Sequence, residues 1–106
     1  MELSAWRSWW HRIGERELRQ LAMGKWDPIG VAGVPEAADE YDAYLGQIAK
    51  RLREGLSAEE LAQFLTSLTA YMGLEPRPDA DLTASREMYA WYAASTARFT
   101  DGADTR

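Results

Sequence analysis

The chain contains no cysteine and a single histidine, His11. The first absence excludes disulfide frameworks, thiolate metal sites and cysteine nucleophiles. The lone histidine sits among Trp9, Trp10 and Arg12 with no serine or carboxylate beside it in sequence, and reads as a partly exposed helix residue rather than a general base. No stretch approaches the length of about 18 apolar residues that a membrane span needs, so no membrane association is expected. The opening run Met1-Glu2-Leu3-Ser4-Ala5-Trp6-Arg7 has no basic region followed by an apolar one, so no signal peptide is expected and a cytoplasmic location is the default. There is no glycine-rich phosphate loop, no G-x-S-x-G elbow and no zinc motif. With a formal charge of −5, generic nucleic-acid binding is not expected, because that requires clustered Lys and Arg against phosphate. No cofactor, metal or catalytic residue is assigned from the sequence.

Basic residues are also missing locally. Between Asp27 and Gly46 there is none, while Asp27, Glu36, Asp39, Glu40 and Asp42 fall in that stretch. Those five carboxylates equal the whole net charge; the remainder balances 12 Lys and Arg against 12 Asp and Glu. An acidic patch can steer encounter with a basic partner.

The 106 residues suffice for one domain, 1–106, and 46% of them are hydrophobic, so a core needs no staple. Four segments carry helical periodicity and none alternates like a strand, which predicts an all-α, compact four-helix domain. Helix one runs from about Ser4 to Met23, with Leu3, Trp6, Trp10, Ile13 and Leu21 on one stripe and Gly24 as its terminator. Helix two begins after Pro35 and ends before Gly55, with Tyr41, Tyr44, Leu45, Ile48 and Leu52 as its apolar face. The acidic residues lie in its first turns and Lys50, Arg51 and Arg53 in its last, both favoured by the helix dipole. Ser57 and Glu60 form a capping box for helix three, whose face is Leu61, Phe64, Leu65, Leu68 and Met72, closed by Gly73. The short Gly55-Leu56 link makes helices two and three a central antiparallel hairpin, with Leu45, Ile48, Leu61, Leu65 and Leu68 at its centre and helices one and four packed across it. After the spacer Glu75-Pro76-Arg77-Pro78-Asp79, helix four spans about Thr83 to Ala97, and residues 100–106 are expected to fray.

Trp26-Asp27-Pro28-Ile29-Gly30-Val31 reads as a defined turn: proline fixes φ, Gly30 permits positive φ, and Asp27 can accept from amides a few residues on. Trp26, Ile29, Val31 and Val34 are expected to plug the gap between helices one and two. Three indoles on helix one exceed what a small core usually seats, so Trp9 either joins the core with only a snorkelling edge outside, or is exposed, or is covered by a partner. The residues assigned to partner binding are Asp27, Glu36, Asp39, Glu40, Asp42, Trp9 and Tyr44. The structural signature is Trp26, Asp27, Pro28, Ile29, Gly30 and Tyr41.

The string Trp26-Asp27-Pro28-Ile29-Gly30-Val31, then Pro35 and Asp39-Glu40-Tyr41-Asp42-x-Tyr44, resembles a family of small uncharacterised bacterial helical proteins; so do Ser57-x-Glu59-Glu60-Leu61 and Met72-Gly73-Leu74. The match covers about residues 26 to 74, and implies a helical domain with the loop as its mark. The acidic helical composition also looks like that of immunity proteins or antitoxins. The expected function is a non-enzymatic protein–protein interaction module, an immunity-like or antitoxin inhibitor of a basic toxin. Two alternatives stay open: a small metal-dependent or acid–base enzyme using the 36–42 carboxylates, and a homodimeric structural protein.

Overall fold

The structure, a computed structural model, describes residues 1–102. Glu2 opens the first helix, its carboxylate accepting from the amides of Ser4 and Ala5 at 3.0 and 2.7 Å. This helix, α1, is one continuous run over residues 3–26 in four parts: α-helical Leu3–Trp9, π-helical Trp10–Gly14, α-helical Glu15–Leu21 and π-helical Ala22–Trp26. Gly24 therefore does not end it. The helix continues as a π turn and stops at Asp27, which adopts left-handed φ 36° and donates its amide to the carbonyl of Ala22 at 2.8 Å.

Helix α2 spans Asp42–Glu54, α3 spans Ala58–Tyr71 and α4 spans Pro78–Thr100. The α2 start lies later than periodicity predicts. Pro35–Ala37 is an isolated 3₁₀ turn, and Tyr41 sits at φ −99°, ψ 4° with its ring turned inward, so α-helix cannot propagate through it. Only Asp42 of the acidic group occupies the α2 first turn. Gly55 ends α2 in the left-handed conformation, at φ 82°. The Ser57–Glu60 capping box of α3 is complete in both directions, at 2.9 and 3.1 Å. Helix α4 is longer than predicted at both ends. Pro78 occupies its first turn, where a missing N–H costs nothing, and Asp79 and Asp81 favour the positive dipole end. Thr100 is its last residue, so the expected frayed tail begins no earlier than the following turn; residues 103–106 of that expectation lie outside the described residues.

Cross-helix contacts give the topology. Arg19 meets Asp42 at one end of the α1–α2 pair and Arg53 meets the Met1 carbonyl at the other, so α1 and α2 are antiparallel. Arg51 stacks 3.6 Å over Phe64, and Tyr44 lies near Leu68 and Tyr71, so α2 and α3 form the expected antiparallel hairpin. Ser85 reaches the Ala58 carbonyl while Asp81 reaches Thr66, which makes α3 and α4 antiparallel. Trp26 meets Asp81 and Trp9 meets Ser95, closing α4 back onto α1. The most extensive contact is between α3 and α4 rather than between α2 and α3. The extents of 41 × 31 × 18 Å leave room for two layers of helices in the thinnest direction.

Leu45, Ile48, Leu61, Leu65 and Leu68 are all buried in the main core with Leu18, Ala22, Trp26, Tyr41 and Met88. A second, smaller cluster holds Trp9, Ile13 and Phe99 where α1 meets the end of α4. Among the described residues no helix is long and apolar enough to cross a membrane.

Candidate functional site

The loop between α1 and α2 is held by a small hydrogen-bond network centred on Asp27. Its carboxylate accepts from the Val31 amide (2.9 Å), the Ala32 amide (2.9 Å) and the Tyr41 hydroxyl (2.7 Å). The Tyr41 hydroxyl also accepts from the Ile29 amide at 3.0 Å. One carboxylate and one phenol thus pin the backbone at residues 29, 31 and 32. Burial alone would push the Asp27 pKa up; the Tyr41 hydroxyl and the amides of Val31, Ala32 and Gly30 outweigh it and hold the carboxyl below its ordinary value. Burial, and then the Asp27 carboxylate that needs the phenolic proton, push the Tyr41 pKa well up. Tyr41 is buried with its ring 5.3 Å from that of Trp26, so the network is anchored in the core.

Trp26 carries the anchor further. Its indole N–H donates to the buried Asp81 carboxyl at 3.1 Å, Thr66 donates to the same carboxyl at 2.8 Å, and Arg77 donates to the Trp26 carbonyl at 2.7 Å. The end of α1, the middle of α3 and the start of α4 therefore meet at one buried acid. No buried side-chain nitrogen or oxygen among the described residues lacks a partner.

The backbone of the loop is pinned, but several of its side chains face outward. Trp26 is buried as expected; Ile29 and Val34 are 39% and 44% exposed, against the expectation that they plug the interhelical gap. The reason is that Trp26 and Tyr41 already fill that gap. Pro28 and Val31 are half-buried, and Gly30 takes φ 80° at the turn. Val31, Val34 and Pro35, with Met23 and Ala38, line a shallow concavity of about 220 Å³.

The assigned partner-binding residues separate into three groups. Glu36, Asp39 and Glu40 are exposed on the loop. Asp42 is also exposed but accepts both arms of the Arg19 guanidinium, at 2.8 and 3.0 Å, while Asp27 points inward. Trp9 is the clear correction: it is fully buried, donates its indole N–H to Ser95 Oγ at 3.0 Å, and is enclosed by the rings of Trp6, Trp10, Trp91 and Tyr92. A third indole fits because residue 14 is glycine. A Cβ there would lie 2.8 to 2.9 Å from the Trp9 ring. Tyr44 is half-buried beside Tyr71, an 81% exposed aromatic that periodicity alone did not single out.

Two polar clusters, one buried and one part-buried, are not legible in the sequence. One is the Trp26–Asp81–Thr66 group. In the other, Ser95 and the Trp91 indole both donate to Glu17, at 3.0 and 2.9 Å. An isolated Asp at the start of a helix and a Glu in mid-helix look like surface residues, and only the partners that the fold brings in from other helices, Trp26 from 55 and Trp91 from 74 positions away, reveal otherwise. Among the described residues, no group of three or more His, Cys, Asp or Glu side chains is placed to hold a metal ion. Compared with protein-family models, with curated proteins and with solved structures, the chain matches none.

Proposed function

We propose that this protein is a non-enzymatic protein–protein interaction module, an immunity-like or antitoxin-type inhibitor that covers the basic face of a toxin with the loop of residues 28–40. The observation that carries this reading is the division of labour in the loop. Asp27 and Tyr41 rigidify its backbone from inside, yet Ile29 and Val34 are held out in solvent. A loop serving only to join two helices gains by burying such side chains. A recognition loop gains by displaying them in one conformation, because ordering cost is then met before binding. Glu36, Asp39 and Glu40 are exposed on the same loop as Ile29 and Val34, so it can offer both the apolar contact and the charged rim of a recognition surface. The rim would supply on-rate and specificity, and Ile29 and Val34 the affinity.

The test is capture from the native host with the intact protein and with two variants, I29S/V34S and D39N/E40Q, followed by mass spectrometry and binding kinetics with the purified partner. The expected result is enrichment of a basic protein whose association slows as salt rises, since screening acts within a Debye length of about 10 Å at 0.1 M. D39N/E40Q should flatten the salt dependence and I29S/V34S should speed dissociation. Recovery of this chain alone, or equal capture by both variants, would overturn the proposal.

A further inference from the structure

At the opposite end of the α1–α2 pair from the acidic loop lies a second surface of inverse chemistry. Leu3, Trp6 and Trp10 of α1 face Gly46, Lys50 and Arg53 of α2 across a groove of about 500 Å³. That volume is in the usual range for a small-molecule site. Trp6 and Trp10 are half-buried and stacked in parallel, with ring planes 5° apart and centroids 6.1 Å apart, so together they make a fixed apolar side of the groove. The Trp6 indole is fixed by donating to the Tyr92 hydroxyl at 3.0 Å.

The rim is cationic on a chain whose net charge is −5. Arg7, Lys50 and Arg53 line the groove against one carboxylate, Glu54. The neighbouring Glu2 carboxylate accepts from the Ser4 and Ala5 amides and also attracts Arg53, so three cations stand against two carboxylates around the groove. Arg53 is held in place, donating to the Met1 carbonyl at 3.1 Å with its guanidinium 5.5 Å from the Trp6 ring centroid. No ion pair among the described residues engages Arg7 or Lys50.

Gly46 is the third observation. It stands inside α2, where glycine weakens a helix, and it has neither positive φ nor a close neighbour: a Cβ there would meet nothing within 4 Å. Neither backbone conformation nor packing asks for glycine at 46. What its missing side chain does is keep the floor of the groove open.

We propose that this groove binds a small aryl carboxylate, with the ring against Trp6 and Trp10 and the carboxylate between Lys50 and Arg53. A flat body fits the parallel indoles, and a carboxylate matches both a held guanidinium and an uncommitted ammonium. The site is separate from the acidic loop and stands whether or not that loop binds a toxin.

The probe is 2-naphthoate, with its neutral amide 2-naphthamide as control, titrated into ¹⁵N-labelled protein while the indole N–H signals are followed. The expected result is saturable shifts of the Trp6 and Trp10 signals, with the amide and the K50E variant each weaker by about 10-fold. Gly46→Leu should fill the groove and abolish the shifts while leaving the fold intact, as judged by an undiminished melting temperature. Absence of saturable shifts up to about 5 mM naphthoate would overturn the proposal. So would shifts that persist unchanged in both K50E and Gly46→Leu.

Discussion

Replacing Gly14 by alanine sets two known effects against each other. In an unstrained helix interior the change stabilises by up to about 1 kcal/mol, because alanine has the higher helix propensity. The backbone at Gly14 is ordinary, with φ −60° and ψ −46°, so conformation does not forbid alanine. Sterics do. The new Cβ would lie 2.8, 2.9 and 2.9 Å from three carbons of the Trp9 ring, where carbon–carbon contacts are favourable only at about 3.5–4.0 Å. The ring would have to retreat by roughly 0.7 Å or more. It has nowhere to go: it is fully buried, ringed by four aromatic side chains at centroid distances of 5.5 to 6.0 Å, and tied to Ser95 through its indole N–H. Overpacking of this kind costs about 1–3 kcal/mol, and loss of the Trp9–Ser95 bond adds about 1 kcal/mol. After the propensity gain is subtracted, Gly14→Ala should destabilise by about 1–3 kcal/mol. The internal control is Gly46→Ala, where the new methyl meets nothing and the propensity gain of up to about 1 kcal/mol should appear alone. Urea denaturation followed by tryptophan fluorescence measures both. If Gly14→Ala gains as much stability as Gly46→Ala, the Trp9 ring does not lie against residue 14 and the account of how α1 seats three indoles is wrong.

Leu65→Ala should cost about 2–5 kcal/mol, since Leu65 is fully buried between α3 and its neighbours; a change within about 0.5 kcal/mol in chemical denaturation would place it outside the core. Tyr41→Phe removes the hydroxyl shared by Asp27 and the Ile29 amide, and should cost about 1–2 kcal/mol by thermal denaturation; no loss would mean that solvent satisfies both groups equally well. Asp27 has a folded-state pKa below its ordinary value, so the unfolded chain binds more protons there and stability rises with pH. That contribution is complete above about pH 5 and is lost as pH falls below about 4. Asp27→Asn should therefore flatten the stability profile between pH 3 and 5, while an unchanged slope would assign the acid sensitivity to other carboxyls.

Much of the fold was readable because it rests on local rules. The 3.6-residue stripes of α2 from Tyr44 onward and of α3, the Ser57–Glu60 box and the Gly55 and Gly73 stops each depend on neighbours in sequence, and each appears where the pattern places it. The ends of α1 and α4 depart from the local pattern for the same reason in reverse. Gly24 is a usual terminator, but the π turn over Ala22–Trp26 carries the helix past it, and the stop is set by Asp27, which the loop network holds in a left-handed conformation. Pro78 and Asp79 read as the end of the Glu75–Asp79 spacer because a proline there masks a helix start whose Asp81 is engaged by Trp26 and Thr66.

By itself the sequence determined composition-level and local matters: an all-α chain, four helices, the leucine-rich faces of α2 and α3, and a turn at Asp27–Gly30. Only the tertiary structure decided which aromatic is inside and which apolar residue is outside. Trp9 is buried because a distant Ser95 receives its N–H and Gly14 gives its ring room, whereas Ile29 is exposed because Trp26 and Tyr41 occupy the space it was expected to fill. Burial of a side chain depends on the volume left by residues far away in sequence, and a single-chain pattern carries no measure of that volume.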